Sequence, residues 1–145
     1  MGVLTWSPLS WGLLTGKYGA GRQTPISPGR RKWGPRHMTD PDKYAAVEKL
    51  RTVADNAGIS LTHMAIAFVL AHLGVTSAII GPRTLDQLDD LLAGAERVLG
   101  DDVLDAIDAI APPGADIGVT DIEYRPPAIQ TPALRRRPPA ERGIR

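Results

Sequence analysis

The chain has 145 residues, of which 43% are hydrophobic and 23% charged, and its formal net charge is +1 at pH 7. It contains no Cys, which excludes a disulfide framework, a Cys-ligated zinc site and a cysteine nucleophile. No apolar run reaches the roughly 20 residues that span a bilayer, and the N-terminus lacks the basic segment of a secretory signal. We therefore expect one soluble, cytoplasmic domain of ordinary size.

Positive and negative charges are sorted along the chain. Residues 17–37 hold six basic and no acidic side chains, whereas residues 38–111 hold five basic and twelve acidic ones. A basic loop beside an acidic helical body favours an anionic ligand at the loop, although a Gly- and Pro-rich loop can equally be a solvated one. Nucleic acid is not an expected partner, because no recognised nucleic-acid fold accompanies these charges.

The first predicted element is a short strand at residues 3–7, which are rich in β-branched and aromatic side chains and precede Pro8. A long loop follows, since the Gly and Pro residues between positions 8 and 39 exclude a long regular element. A loop of this length in a compact domain is usually functional or disordered.

Two helices are predicted next. Asp40 and Pro41 form a helix start, with an N-cap acceptor followed by Pro at the first helical position, and Gly58 is a natural end. A second helix, at about residues 62–73, is apolar on nearly all sides, so we expect it to be buried on more than one face.

A second strand and two further helices complete the pattern. The strand covers residues 76–80 and ends at a Gly-Pro pair. Thr84 and Gln87 match a capping box, in which Thr84 caps the next helix and Gln87 reaches back to it. A final helix is predicted at about residues 101–111, before two prolines, and its aspartates are expected to form a solvated face.

Residues 115–145 are predicted to be a disordered tail, because they hold five Pro, a triple Arg at 135–137 and no helical pattern. Strands that alternate with helices indicate parallel βα units. Two strands cannot close a sheet or cover this many apolar helices. Residues 1–114 are therefore expected to be part of a larger α/β domain.

The turn after the second strand is a candidate anion site. Between residues 81 and 84 a strand ends and a helix N-terminus begins, where free N–H groups and the helix dipole attract anions. Arg83 adds a planar guanidinium that can donate two parallel hydrogen bonds to a phosphate, and Gln87 lies one helical turn further on. The alternative is a plain strand–helix turn with an ordinary surface arginine.

The loop after the first strand is a second candidate site, because ligands bind at the carboxyl ends of strands in α/β proteins. Gly12 permits close backbone approach, Lys17 supplies charge, and Trp6 offers a flat face to a heteroaromatic ring. The alternative is that Trp6 and Trp11 only pack under the loop.

Groups for acid–base or metal chemistry are scarce. His37, His63 and His72 have no obvious carboxylate or hydroxyl partner in the sequence and are expected to be packed or edge residues. The chain has no Walker A loop, no GxSxG and no HExxH motif. We assign no catalytic residue and no metal ligand.

Two stretches together resemble the aldo-keto reductases: SPLSWGLLTGKY at residues 7–18 and SAIIGPRTLDQL at residues 77–88. The similarity extends over roughly residues 3–114. It implies a (β/α)8 barrel that reduces aldehydes and ketones with NADPH. Residues 3–7 and 77–80 would then be strands seven and eight, so that this chain holds the last two βα units.

The resemblance also implies roles for single residues. Trp6 falls where the family usually has a Tyr that stacks on the nicotinamide, and Asp90 falls at an acidic position on the adenine side. The loop that holds the pyrophosphate corresponds to Ser7, Pro8, Leu9, Gly12 and Lys17. The positions that grip the adenosine 2′-phosphate correspond to Gly81, Pro82, Arg83, Thr84 and Gln87. Leu91 departs from the family's usual Asn, which weakens the implied adenine contact.

The family's catalytic Asp, Tyr, Lys and His lie on its first four strands, and a barrel of this type needs about 250 residues. The resemblance therefore implies an aldo-keto reductase fragment that binds NADP(H), lacks the catalytic tetrad and is inactive alone. A non-catalytic nucleotide-binding or partner-assembly module is the alternative. Its partner would be a chain that supplies the missing strands, or a second copy.

Overall fold

The computed structural model describes residues 1–19, 26, 39–117 and 130–142. Within these ranges two short strands are combined with five α-helices and two 3-10 segments. The strands are β1 (Leu4–Trp6) and β2 (Ser77–Ile79). The helices are α1 (Pro41–Asn56), α2 (Leu61–Leu70), α3 (Leu85–Ala95), α4 (Asp101–Ile110) and α5 (Pro132–Arg135). The 3-10 segments are Ser10–Thr15 and Pro139–Glu141.

The sheet consists of β1 and β2 paired in parallel, with Leu4 opposite Ser77 and Trp6 opposite Ile79. This confirms the parallel arrangement, but each strand has three residues instead of the predicted five. Neither outer edge of the sheet has a strand partner within the described ranges. Leu4, Trp6 and Ile79 are exposed, although they are large and apolar.

Helix α1 begins and ends where the sequence predicts. The Asp40 carboxylate accepts a hydrogen bond from the Asp42 N–H at 2.9 Å, and Pro41 occupies the first helical position. Gly58 follows the helix with a left-handed φ of 68°, a conformation that glycine adopts without steric cost. The turn at Gly58 leads into α2, which packs on α1.

Helix α2 lies at the centre of the fold and packs on α1, α3 and the loop after β1. Its buried residues are Leu61, Met64, Ala65, Ile66 and Ala67. The predicted burial on more than one face is confirmed, and each such Leu, Met or Ile contributes about 1.5–3 kcal/mol. No described helix is by itself both long and apolar enough to cross a membrane; α1 and α2 reach that criterion only together, across a 91° bend.

Two apolar clusters hold the helices together. In the larger one, Val47 and Ala54 of α1 meet α2 and the α4 residues Leu104 and Ile107. The smaller one joins α2 to α3 through Ile66, Leu91 and Ala95. Helix α3 is thereby fixed next to the sheet, with its N-terminus after β2.

The C-terminal segment differs from its prediction. Residues 130–142, expected to be part of a disordered tail, pack against α4 and against residues 71–75 after α2, and Arg136 forms an antiparallel bridge with His72. Their guanidinium groups pair with aspartates of α4 that were expected to face solvent only. The ion pairs join Arg135 to Asp108, Arg136 to Asp101, Asp105 and Asp108, and Arg142 to Asp101. Complementary charge, which composition alone does not reveal, orders this segment. Residues 118–129 and 143–145 of the predicted tail lie outside the described residues.

Candidate functional site

A cavity of about 590 Å³ lies at the carboxyl ends of β1 and β2. Its walls are the loop after β1, the turn after β2 and the first turns of α3. Eleven of the twelve predicted cofactor residues line it: Trp6, Ser7, Pro8, Leu9, Gly12, Lys17, Gly81, Pro82, Arg83, Gln87 and Asp90. Two stretches about 60 residues apart therefore meet in one place, because parallel strands bring their carboxyl ends to the same edge.

The loop after β1 has a strained backbone. Ser7, Ser10 and Trp11 have φ values of 56°, 46° and 58°, in the left-handed region that residues other than Gly rarely adopt. Each such residue costs about 1–3 kcal/mol, which contacts elsewhere in the structure must offset. The Ser10 N–H donates to the Ser7 carbonyl at 2.9 Å, and the Thr15 hydroxyl donates to the Gly12 carbonyl at 2.7 Å. These bonds fix the loop as a tight wall of the cavity.

Thr84, the twelfth predicted residue, has a structural role in the turn after β2. Its Oγ1 caps α3 by accepting a hydrogen bond from the Gln87 N–H at 3.3 Å. Gln87 does not complete the predicted capping box, because its Oε1 accepts the Arg83 N–H at 2.9 Å instead. One backbone donor that was expected to be free for an anion already has a partner. The Arg83 guanidinium remains as a charged donor at this turn.

Charged groups border the cavity on both sides. Arg83 is exposed and forms no ion pair with any acidic residue that the structure describes. The Lys17 ammonium lies 5.3 Å from the centroid of the Tyr18 ring. Cations in both the loop after β1 and the turn after β2 raise the local concentration of anions.

Asp90 has a partner that the sequence analysis missed. His63 Nε2 lies 2.8 Å from Asp90 Oδ1, so the expectation that His63 lacks a carboxylate partner is wrong. The two residues are 27 positions apart on α2 and α3, and no local pattern connects them. The bond holds Asp90 at the cavity wall. His37 lies outside the described residues.

The two tryptophans of the loop are placed differently. Trp6 is 74% exposed, so the interpretation that it only packs under the loop does not hold. Trp11 packs against the larger core and also contributes to the cavity wall. An exposed indole at the end of β1 offers a flat surface to a ligand ring.

Six lining residues were not among the predicted ones: Trp11, Thr15, Thr62, Ile79, Ile80 and Leu91. Four of them lie inside the stretches 7–18 and 77–88, and Leu91 lies three positions beyond the second stretch. Thr62 comes from α2, and no local signal links that helix to the site. Of the described lining residues, none is Tyr or His, and no three His, Asp or Glu of the described chain gather as metal ligands.

The model of the Aldo/keto reductase family matches residues 1–112. This chain belongs to the aldo/keto reductase family. Its membership confirms the resemblance, implies a (β/α)8 barrel as the family fold, and agrees with a parallel strand pair flanked by helices. Members of the family generally use nicotinamide cofactors.

Two curated relatives show how much of a family member the chain contains. It is 32% identical over 117 residues to "Uncharacterized oxidoreductase YrpG" of Bacillus subtilis (strain 168), which covers 80% of this chain and 34% of the relative. It is 31% identical over 116 residues to "Probable voltage-gated potassium channel subunit beta" of Oryza sativa subsp. japonica, covering 76% of this chain and 35% of the relative. The chain spans about a third of the length of these relatives.

Proposed function

We propose that this chain is the cofactor-binding part of an NADP(H)-dependent aldo-keto reductase, an enzyme that interconverts aldehydes or ketones and alcohols. The observation that carries the proposal is that eleven predicted cofactor residues line one cavity, at the carboxyl ends of two adjacent parallel strands. Barrel enzymes build their active sites at this end of the strands. A volume of about 590 Å³ is within the usual range for small-molecule sites.

The residues of the cavity suit a dinucleotide phosphate. The Arg83 guanidinium can bind a phosphate through two parallel hydrogen bonds, and the N-terminus of α3 adds partial positive charge. A Cβ added to Gly81 would meet no atom within 4 Å, so the wall is open at this point. The exposed ring of Trp6 suits the nicotinamide, which would lie at the end of β1.

Bound NADPH would supply the hydride for a carbonyl carbon. The chain's own part is to bind and orient the cofactor. The loop after β1 forms a fixed backbone wall, Trp6 covers one face of the nicotinamide ring, and Arg83 holds the 2′-phosphate. The described lining residues include no Tyr or His that could donate the proton. We propose that the proton donor and the substrate contacts come from residues outside this chain, so the 145 residues alone reduce no carbonyl compound.

A non-catalytic nucleotide-binding or partner-assembly module is the second candidate. One observation in its favour is the similarity to a relative whose name assigns it to a potassium channel as subunit beta. Another is that neither edge of the β1–β2 sheet has a strand partner among the described residues. The partner would be a chain that supplies further strands, or a second copy.

The deciding experiment is a titration of the full chain with NADPH and, separately, NADH, followed by tryptophan emission. Trp6 and Trp11 both line the cavity, so a bound nicotinamide should quench them. Saturable quenching with a higher affinity for NADPH than for NADH supports the proposal. Quenching that persists in W33F and decreases in W6F shows that the nucleotide binds in this cavity. The absence of a saturable change contradicts cofactor binding.

Two further measurements separate the candidates. Oxidation of NADPH with an aldehyde, above the rate without protein, would contradict the proposed lack of turnover. Sedimentation velocity over a range of protein concentrations tests self-association. A monomer at every concentration contradicts assembly with a second copy.

A further inference from the structure

The hydrogen bond between His63 and Asp90 joins α2 to α3 beside the cavity at the strand ends. Asp90 lines this first cavity and has no part in a second one, of about 570 Å³, between β1, α1, α2 and α4. His63 Nε2 lies 2.8 Å from Asp90 Oδ1, and the ring is the donor because a carboxylate only accepts hydrogen bonds. The His63 side chain is 14% exposed and that of Asp90 is 55% exposed. A packed residue thus contacts a carboxylate that a ligand can reach.

His63 is fixed by contacts on two sides. Its backbone N–H donates to Ser60 Oγ at 3.1 Å, in the first turn of α2. On the other side, a Cβ added to Gly94 of α3 would lie 3.2 Å from the His63 ring. Packing of this kind, combined with a hydrogen bond, is what holds a functional side chain in one rotamer. The ring therefore fixes the position of one Asp90 oxygen.

The other oxygen of Asp90 is available to a ligand, because Oδ2 has no hydrogen-bond donor among the described residues. Gln87 lies three positions earlier on α3, and residues three apart share a helix face. Its Oε1 accepts the Arg83 N–H, so the Gln87 side chain is also held at the cavity wall. The amide nitrogen of Gln87 is a donor. A donor and an acceptor therefore lie side by side on this wall.

The chemistry of NADP(H) decides which group meets this wall. In the proposed arrangement Arg83 holds the 2′-phosphate, and adenine is attached to the neighbouring carbon of the same ribose. Arg83 contacts Gln87, and Asp90 lies one turn beyond Gln87, so the base would extend from Arg83 along α3. Adenine presents a 6-amino donor next to its N7 acceptor. These groups match the acceptor of Asp90 and the donor of Gln87.

We infer that His63 is a positioning residue of this site, which holds the Asp90 carboxylate so that it accepts a hydrogen bond from the 6-amino group of adenine. The inference rests on the proposed binding of NADP(H) and adds to it a residue of α2 that does not itself line the cavity. A base with a carbonyl oxygen in place of the 6-amino group would bring two acceptors together. A carboxylate fixed by His63 cannot turn away from that oxygen, so the site selects adenine over hypoxanthine.

The test compares NADPH with reduced nicotinamide hypoxanthine dinucleotide phosphate, in which a carbonyl oxygen replaces the 6-amino group. Both nucleotides carry the same nicotinamide, so tryptophan quenching of the full 145-residue chain measures both affinities. We expect the affinity for NADPH to be about tenfold higher or more, because the analogue loses a hydrogen bond to a charged partner. D90N should abolish this preference. D89N removes the same charge from an exposed neighbour that does not line the cavity, and it should keep the preference.

The role of His63 is tested by variants of its own. H63L removes the donor and should lose most of the preference for NADPH, because the Asp90 carboxylate is then free to turn. H63Q keeps an N–H donor of similar reach and should retain the preference. In a chain that already carries D90N, H63L should change the ratio of the two affinities no further, because His63 acts through Asp90.

Binding of NADPH without preference over the analogue would overturn the inference and leave the proposed function intact. A folded H63L with the original preference would do the same, and so would an H63L that loses the same factor for both nucleotides, as a merely structural residue would. No binding of either nucleotide would overturn both the inference and the proposed function. H63A places the strongest helix former in α2 and replaces H63L in the test if circular dichroism shows that H63L does not fold.

Discussion

A Cβ built on Gly94 of α3 would lie 3.1 Å from the Cα of His63 in α2. The same atom would lie 3.2 Å from the His63 ring. His63 in turn contacts Asp90 at the wall of the first cavity. Gly94 thus sets how closely two helices beside the candidate site approach each other.

We expect G94A to lower the free energy of unfolding by about 1–2 kcal/mol, because the neighbour that must move is backbone. In an open helix position the same change would stabilise by about 1 kcal/mol. G74A, in the turn before β2, is the control for an added methyl group without a close neighbour, since a Cβ on Gly74 would meet nothing within 4 Å; it should change the free energy of unfolding by less than about 0.5 kcal/mol. Urea denaturation measures both, and a G94A variant as stable as the original chain would refute the argument.

R83Q should weaken binding of NADPH by about tenfold or more and change binding of NADH little, because it removes the two-pronged contact to the 2′-phosphate. R97Q removes the same charge from an exposed position outside the cavity and should leave both affinities unchanged. Tryptophan quenching measures the affinity of the original chain and of each variant for NADPH and for NADH. Equal losses for the two nucleotides would mean that Arg83 does not distinguish them.

R142A should lower the free energy of unfolding by roughly 2–3 kcal/mol, because it leaves the Leu99 and Arg137 carbonyls without their donors. The Arg142 side chain is 4% exposed and donates to the Leu99 carbonyl at 2.8 Å and to Asp101 at 2.9 Å. R51A, which removes a partly exposed ion pair with Glu48, should cost under about 1 kcal/mol. Similar losses in the two variants would show that the C-terminal segment contributes little stability.

Acid should destabilise the protein in a window that begins near pH 6.5. Burial lowers the pKa of His72, so the unfolded state binds a proton at a pH where the folded state does not. The free energy of unfolding therefore falls as the pH falls through 6.5 toward the folded pKa. H72Q should flatten this window, which urea denaturation from about pH 8 to about pH 5 measures. A slope that H72Q leaves unchanged would assign the window to other groups.

A second, more acidic window belongs to Asp101. A hydrogen bond from Arg142 lowers the pKa of this carboxyl below 3.8. Its contribution to stability is therefore present above that pH and is lost as the pH falls toward the folded pKa. R142A should narrow this window, because Arg136, which also lowers the pKa of Asp101, stays in place; urea denaturation below about pH 4 compares the variant with the original chain.

Local signals in the sequence predicted much of the fold and of the first cavity. The caps at Asp40 and Thr84 depend on neighbours within three residues, and the structure confirms both. Contacts between distant residues had no such signal. The His63–Asp90 bond and the order of residues 130–142 depend on how α2, α3 and α4 face other parts of the chain. Composition predicted a disordered C-terminal segment, whereas residues 130–142 fold against the acidic face of α4.

The β1–β2 sheet has a consequence for the order of folding. Leu4 and Ser77 are paired neighbours in space but 73 positions apart in the sequence, and each strand has three residues. So few hydrogen bonds cannot offset the entropy of closing such a loop until the helices between the strands have shortened it. The sheet should therefore form late, after α1 and α2 have docked. Because the first cavity is built where both strands end, a chain can acquire nearly all its helices before it acquires a binding site.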